Sequence, residues 1–597
     1  MTIWFGEWAI GLSGESAPGR EVIGGKAWSV ARMQALGLSV PPAVVVTTRA
    51  CAAFLSGRVA PPGLNDEIAA AVAWLEERTG RRFGGGPTPL LVSVRSGAPV
   101  SMPGMMDTVL NLGLNDVTEA ALADECGDPA FARDTYRRFV DLYTSIVLKA
   151  EPPPVDETTD LRAQRAAIAS AAGREIPQDP WEQLRQAVSA VFESWNSRRA
   201  KRYRQHHRIS DDLGTAVTIQ AMVFGNLDAR SGTGVMFSRN PLTGERIPYG
   251  EYLPRAQGED VVSGRFTPRP LSTLAKELPE AHAELLAGAE SLERVGRDVQ
   301  DIEFTVERGR LYFLQSRPAK LAPHAAARIA VDLVREGVID ENAALERLTP
   351  DQVRILLAPH IRASALGDAV TIASGEGASP GVGIGVVVSD SDEAERRAHA
   401  GEAVILARRT TSPEDLHGMI AAKAVVTEQG GSTSHAAVIG RALGLPCVVG
   451  CGKGALEPLA GAIVTVDGEA GKIYAGALPI EAPNESDHEA LATLCAWAAA
   501  RSPLRVVPPS APEAREAIDI SCNDAAADPT RIAEALRSLR GPRGVRGGAI
   551  ASNEGVRAAI AAGLEFIVAD PVLPPLLAAL RCKAGVISSD LNERERA

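Results

Sequence analysis

The sequence predicts a multidomain protein of mixed α/β and α+β class, and three observations carry that prediction. At 597 residues the chain is long enough for roughly three to five folding units. Hydrophobic residues make up 45% and charged residues 23%, a globular composition rather than a disordered or fibrous one. Helical periodicity alternates with short β-branched runs along the chain, with loose passages between them.

The elements follow in order. Residues 24–48, "GGKAWSVARMQALGLSVPPAVVVTT", predict a glycine turn, an amphipathic helix stopped by Gly37, a Pro-Pro break and a strand. Residues 89–116 continue with a buried strand ending in Arg95 and a loop rich in Gly, Pro and Met. Residues 117–205 are mostly helical by pattern, with a polar, Pro-rich interruption at 151–160. Strands return at 215–226, 232–245 and 300–320, the last a hairpin turning at Glu307, Arg308 and Gly309. A helical stretch covers 321–365. The Gly-rich passage "SGEGASPGVGIG" (374–385) is expected to be a flexible boundary, followed by strands alternating with short helices to residue 477. After "LPIEAPNESD", an Ala- and Arg-rich region with runs such as "AGLEFIVAD" predicts a small α/β unit.

Charge and cysteine usage narrow the class. With 74 acidic and 62 basic residues intermixed, the formal net charge is -12, which argues against a nucleic-acid groove or an anionic membrane surface. Any anion must be caught locally. Seven cysteines (51, 126, 447, 451, 495, 522, 582) are scattered and odd in number, and Cys447 with Cys451 lacks C-x-x-C spacing, so reduced thiols of a cytoplasmic protein are expected. The N-terminus "MTIWFGEWAI" lacks a basic region before an apolar one, and no apolar run of about 18 residues occurs, so neither secretion nor membrane insertion is expected.

Two places carry chemistry. In the 300–320 hairpin, Asp301 and Glu303 share a strand face, and Gln315 with Arg317 share a face of the partner strand, because side chains two apart point the same way. Such a set can hold Mg²⁺ through hard oxygens while a cation meets phosphate; it can equally be a solvated charged face. Lys26 after "GG" and Arg95 at a strand end are further cations for a phosphate, although no P-loop or Rossmann glycine pattern is present. The second place is "TEQGGSTSHAAVIGRALG" (427–444). Its His435 stands where a helix should start, behind Thr433 and Ser434 as caps, so the imidazole is expected to stay neutral near pH 7. From the residues alone, a phosphorus nucleophile and a capped, packed histidine are both open readings.

Six motifs in order, "GGKAWSVARMQALGLSVPP", "VSVRSGAPVSMPGMMDTVLNLGLND", "GTGVMFSRNPLTGE", "GEYLPRAQGEDVVSG", "QDIEFTVERGRLYFLQSRPAK" and "TSPEDLHGMIAAKAVVTEQGGSTSHAAVIGRALGLPCVVG", are similar to those of the pyruvate, phosphate dikinase family of phosphoenolpyruvate-utilising enzymes. The resemblance runs from about residue 22 to 477. It implies an ATP-grasp nucleotide-binding domain over 1–330 with a helical insertion at about 117–205, a helical linker at 331–372, a swivelling phosphohistidine β/β/α domain at 373–480, and a small α/β domain or barrel remnant at 481–597. By matched position, Lys26, Arg95, Arg138 and Arg317 hold the ATP phosphates, Asp301, Glu303 and Gln315 the Mg²⁺, and Gln220, Met222 and Val223 the adenine side. His435 takes the β,γ-diphosphate of ATP and releases AMP; inorganic phosphate then leaves with the outer phosphoryl as diphosphate, and the remaining group passes to pyruvate or another small acceptor, on a separate polypeptide if need be. Loop 101–108 resembles the phosphate-using dikinase type, and Thr433 sits where some relatives are regulated by phosphorylation. Two alternatives stay open: an ATP-binding regulatory module without turnover, and a dikinase for a different small molecule.

The chain departs from the family pattern at Gln429, where an arginine is usual, and Ser432, where a methionine is usual. A lost charge-assisted contact costs on the order of 1.5–3 kcal/mol. The family's pyruvate-binding barrel needs roughly 250 residues, and only residues 478–597 follow the matched region. Cys582 is a poor counterpart of that barrel's cysteine.

Overall fold

The computed structural model describes residues 2–583 except 15–16, 101, 103–106, 152–159, 208, 263–265, 358–359, 368, 444, 482–484, 486–487, 521–531, 538 and 540–542. Most of loop 101–108, part of the Pro-rich interruption, part of "LPIEAPNESD" and Cys522 therefore lie outside the described residues.

Two antiparallel sheets share a cavity in the N-terminal part. The first has six strands in the order Ile3–Trp4, Ala9–Gly11, Ala43–Val46, Ala216–Ala221, Val92–Gly97, Thr108–Leu112. The second has five, Arg269–Pro270, Tyr249–Pro254, Gly232–Phe237, Gln300–Glu307 and Arg310–Pro318. The last two form the 300–320 hairpin. Arg308 (φ 52°) and Gly309 (φ 82°) both take left-handed backbone, the turn whose twist matches antiparallel strands.

Helices Asp116–Cys126, Pro129–Ile146, Leu161–Ala172 and Pro180–Ser194 cover one face of the six-stranded sheet, where Tyr136, Phe139, Tyr143 and Phe192 pack with Val92 and Val94. Their starts are written locally. The Asn115 carboxamide accepts from the Val117 and Thr118 N–H groups, and Asp128 caps a helix whose first residue is Pro129.

Residues 371–475 build a mixed eight-stranded sheet, with Val382–Val388, Val404–Arg408, Ala424–Thr427 and Cys447–Val449 parallel at its centre. Period-2 alternation sorts its two faces: Val404, Leu406 and Val425 enter one core, and Ile405, Ala407, Ala424 and Val426 the other. The first core also contains Val100, Met102, Trp195 and Tyr203, so apolar packing joins this sheet's helices to the N-terminal part. The passage 374–385 is not a loose boundary: Glu376–Ser379 and Val382–Val388 are strands of the sheet. Its glycines serve close backbone approach, since a Cβ on Gly383 would stand 2.4 Å from the Lys423 carbonyl oxygen.

The C-terminal region is α/β, with four parallel strands in the order Arg505–Val507, Phe566–Val568, Gly544–Arg546, Ile518–Asp519. Helix Pro323–Arg335 and those after it share a core with helices Glu489–Arg501 and Leu573–Lys583, through Ile329, Leu333, Leu494 and Leu576. The stretch expected to be a linker thus packs as part of the C-terminal body. The six described cysteines carry no disulfide. Among the described residues no helix is long and apolar enough to cross a membrane.

Arg239 fastens this body to the second sheet. Its guanidinium, with 0% side-chain exposure, donates to both Glu293 (2.7 Å) and Glu336 (2.7 Å). Removing one partner of a buried ion pair strands the others without compensation, which costs about 3–5 kcal/mol. Arg239→Ala is therefore expected to lower the urea midpoint of the transition that includes these helices; an unchanged midpoint would show the pair to be unimportant.

Candidate active site

The cavity between the two sheets holds about 300 Å³. From the six-stranded sheet it is lined by Arg95, Thr108, Gln220, Met222 and Val223, and from the five-stranded sheet by Thr233, Asp301, Glu303 and Arg317. One end is cationic and acidic, and the other is largely apolar.

The charged end follows from strand register. Asp301 stands directly opposite Arg317, and Glu303 opposite Gln315, with a register shift immediately beyond Glu303. Arg317 Nε donates to Asp301 Oδ2 at 2.8 Å, while Asp301 Oδ1 is buried with no hydrogen-bond partner. Arg95 reaches across from the other sheet and donates to Glu303 Oε2 at 3.1 Å and Gln315 Oε1 at 3.4 Å.

Lys26 joins them because of the glycines before it. Gly24 interrupts helix Arg20–Ala35 with φ 73°, and a Cβ there would fall 1.8 Å from the Gly97 carbonyl oxygen. Only glycine fits. The Gly25 N–H then donates to the Ala98 carbonyl at 2.9 Å, fixing Lys26 against the strand that carries Arg95. Burial, then the positive charges of Arg95 and Arg317, bring the Lys26 ammonium from 10.5 down to about 7 against the attraction of Glu303. Burial alone would raise Glu303, but Arg95, Arg317 and Lys26 outweigh it and hold that carboxyl below its ordinary range. Lys26, Arg95 and Arg317 thus stand among the carboxylates of Asp301 and Glu303, a mixed set in which cations can meet phosphate oxygens and carboxylates a metal ion.

Arg138 stands apart. Its guanidinium donates to Asp260 at 2.9 Å and to Asp134 at 2.9 Å, and it is not among the cavity-lining residues. It acts on the cavity at one remove, because Asp260 belongs to helix Gly258–Val262, of which Gly258, Glu259 and Val261 line the wall.

The loop before His435 closes the cavity. Thr433 and Val438, on either side of His435 in sequence, line the same space as Arg95 and Arg317. The Thr433 hydroxyl donates to Glu251 Oε2 at 2.6 Å and the Ser432 hydroxyl to Glu251 Oε1 at 3.3 Å. A second carboxylate, Glu376, accepts from the Ser432 N–H (3.2 Å) and the Tyr249 hydroxyl (2.7 Å). Burial first, and then the neighbouring Glu376 charge, push the Glu251 carboxyl up against the hydrogen bond from Thr433. Gly431 permits the approach: a Cβ there would lie 2.4 Å from Glu251 Oε1.

His435 begins helix His435–Leu443. Its Nδ1 lies 3.2 Å from the Thr411 hydroxyl, and its Nε2 is buried with no hydrogen-bond partner. Burial lowers the imidazole from 6.5 to about 4, with Asp415 opposing, so the ring is neutral at physiological pH. The ring is not itself a lining residue of the cavity, although its loop is. Gln429 and Ser432 flank it; Gln429 holds Thr427 Oγ1 with its carbonyl, and Ser432 makes the contact to Glu251 already described. Glu251, Glu376, Tyr249 and Thr411 were not singled out from sequence. They lie on strands and a turn apart from His435 in the chain, and no periodicity of Tyr249–Pro254 marks Glu251.

Residues 57–279 match the family model described as Pyruvate phosphate dikinase, AMP/ATP-binding domain, and residues 400–471 that described as PEP-utilising enzyme, mobile domain. The chain is 43% identical over 528 residues to pyruvate, phosphate dikinase of Clostridium symbiosum, covering 82% of this chain and 60% of that protein. It is 43% identical over 533 residues to the enzyme of the same name from Rhizobium meliloti (81% and 59%), and 43% over 501 residues to pyruvate, phosphate dikinase 2 of Oryza sativa subsp. japonica (78% and 56%). The chain thus spans less than two thirds of the length of these curated relatives.

The lowered Lys26 gives a proton-linkage prediction. A polyphosphate beside the amine restores its ammonium form, so at about pH 8.5, above the free-protein value and below the ordinary lysine value, binding must take up a proton. Calorimetric titration with ATP in buffers of differing ionisation enthalpy should report uptake approaching one proton, absent in Lys26→Met. Buffer-independent heats in the unaltered protein would contradict it.

Proposed function

We propose that the chain is a dikinase-type phosphotransferase, as its 43%-identical relatives are named, in which ATP and inorganic phosphate charge His435. The observation that carries this reading is the contact of the Ser432–Thr433 loop with Glu251, which sets the His435 loop against the cavity between the two sheets. In this reading residues 1–330 are an ATP-grasp domain, 373–480 a swivelling phosphohistidine domain, and 481–597 a small α/β domain against which helices within 331–372 pack.

Lys26, Arg95 and Arg317 neutralise the triphosphate, with Arg138 supporting the wall through Asp260, and Gln220, Met222 and Val223 receive the adenine. Asp301, Glu303 and Gln315 offer hard oxygen donors suited to Mg²⁺, and the unpartnered Asp301 Oδ1 is a donor atom in need of a cation. Bound there, Mg²⁺ would neutralise phosphate oxygens.

The His435 chemistry needs one nitrogen free and the other protonated. In the tautomer with the proton on Nδ1, that N–H donates to the Thr411 hydroxyl oxygen, which leaves the Nε2 lone pair to attack the β-phosphorus. The bond from that phosphorus to the α,β-bridging oxygen breaks and AMP leaves. An oxygen of inorganic phosphate then attacks the outer phosphorus, diphosphate leaves, and phosphohistidine remains. Thr433, bound to Glu251, positions the loop. The phosphoryl group goes on to pyruvate or another small acceptor.

With ATP labelled at the β position, the protein should acquire acid-labile label, lost in His435→Ala, and with phosphate it should form AMP and diphosphate. Nucleotide binding with neither label nor AMP would instead favour a regulatory module without turnover.

A further inference from the structure

A second cluster of ligand-type side chains lies on two helices that share a core with the helix starting at His435. Helix Ser391–His399 carries Asp392 and Glu395 one turn apart, and His417 projects from the adjoining helix Leu416–Ala421. One donor atom from each, an imidazole nitrogen and two carboxylate oxygens, all lie within 4.8 Å of one another.

The local bonding leaves these atoms unsettled. His417 Nε2 is buried and 2.8 Å from Asp392 Oδ1, yet makes no hydrogen bond of adequate geometry. Glu395 has no ion pair or hydrogen bond among the described residues. The neighbouring arginines are committed elsewhere: Arg397 to Glu402 and Glu393, Arg396 to Glu393, and Arg408 to Asp415. Two carboxylates therefore face one imidazole with no guanidinium between them. The 2.8 Å approach of His417 Nε2 and Asp392 Oδ1 without hydrogen-bond alignment leaves both atoms available to a shared ion.

We propose that Asp392, Glu395 and His417 form a binding site for a divalent transition-metal ion of the Zn²⁺ type, distinct from the Mg²⁺ carboxylates of the nucleotide cavity. One imidazole with two carboxylates and a water completes four-coordination, and the nitrogen donor selects against Mg²⁺. Four-coordinate bonds of about 2.0–2.2 Å set ligand atoms roughly 3.3–3.6 Å apart, so Asp392 Oδ1 opens slightly from His417 Nε2 and the widest-spaced donors, now within 4.8 Å, close by up to about 1.5 Å through side-chain rotation. The site ties the two helices at the position where Ser391 Oγ donates to Asp415 Oδ1 at 2.7 Å, and Asp415 Oδ2 in turn accepts from the Ser412 N–H at 2.8 Å. A bound ion braces the turn that carries Thr411, the partner of His435 Nδ1.

The full chain, stripped of metal, is titrated with Co²⁺ as an optical probe and then with Zn²⁺ in excess Mg²⁺. The expected result is one equivalent of Co²⁺ with the visible bands of a four-coordinate site, displaced by Zn²⁺ but not by Mg²⁺, together with a Zn²⁺-dependent rise in Tm. Glu395→Gln, a helix-surface change that leaves the fold intact, and His417→Ala should each weaken Zn²⁺ binding about tenfold or more, while Asp301→Asn should not. Absence of a stoichiometric site, or wild-type affinity in Glu395→Gln, overturns the proposal.

Discussion

The Glu251 carboxylate is the contact on which the site depends. It stands on a strand of the five-stranded sheet and receives the hydroxyls of Ser432 and Thr433 from a loop about 180 residues away in sequence. Hydrogen bonds to a charged acceptor contribute on the order of 1.5–3 kcal/mol. Two of them decide whether the His435 loop closes the cavity or stands away from it. The contact is small and polar, and a second carboxylate, Glu376, rims it.

Two glycines set the geometry on either side of that contact. Gly24 lets the chain pass over the Gly97 carbonyl and deliver Lys26 to the phosphate end, and Gly431 removes the side chain that would strike Glu251. Each is required by a backbone approach rather than by flexibility. The same logic explains why the Gly-rich passage 374–385 forms strands: its neighbours' carbonyls occupy the space a Cβ would need. Apolar packing of Val100, Met102 and Trp195 against the helices of the eight-stranded sheet adds the non-directional part of the docking.

Much of the site was readable from sequence where it depends on local rules. Period-2 alternation placed Asp301, Glu303, Gln315 and Arg317 together, and capping signals put His435 at a helix start. Tertiary contributors were not readable. Glu251 and Tyr249 sit in an unremarkable strand, Glu376 lies in a passage whose glycines suggested a loop, and Thr411 meets His435 only because two parallel strands end side by side. The helices of 331–365 carried the right amphipathic pattern, but no local feature says that their partners are helices more than a hundred residues later.

We infer that the arrangement with the His435 loop over the cavity is the one that reacts with ATP. Exchange of labelled AMP into ATP, catalysed without phosphate or pyruvate, measures that step alone. Glu251→Ala should slow the exchange by about tenfold or more, the effect of losing on the order of 1.5–3 kcal/mol of docking, while leaving ATP affinity unchanged. Exchange at the unaltered rate in Glu251→Ala would contradict the claim.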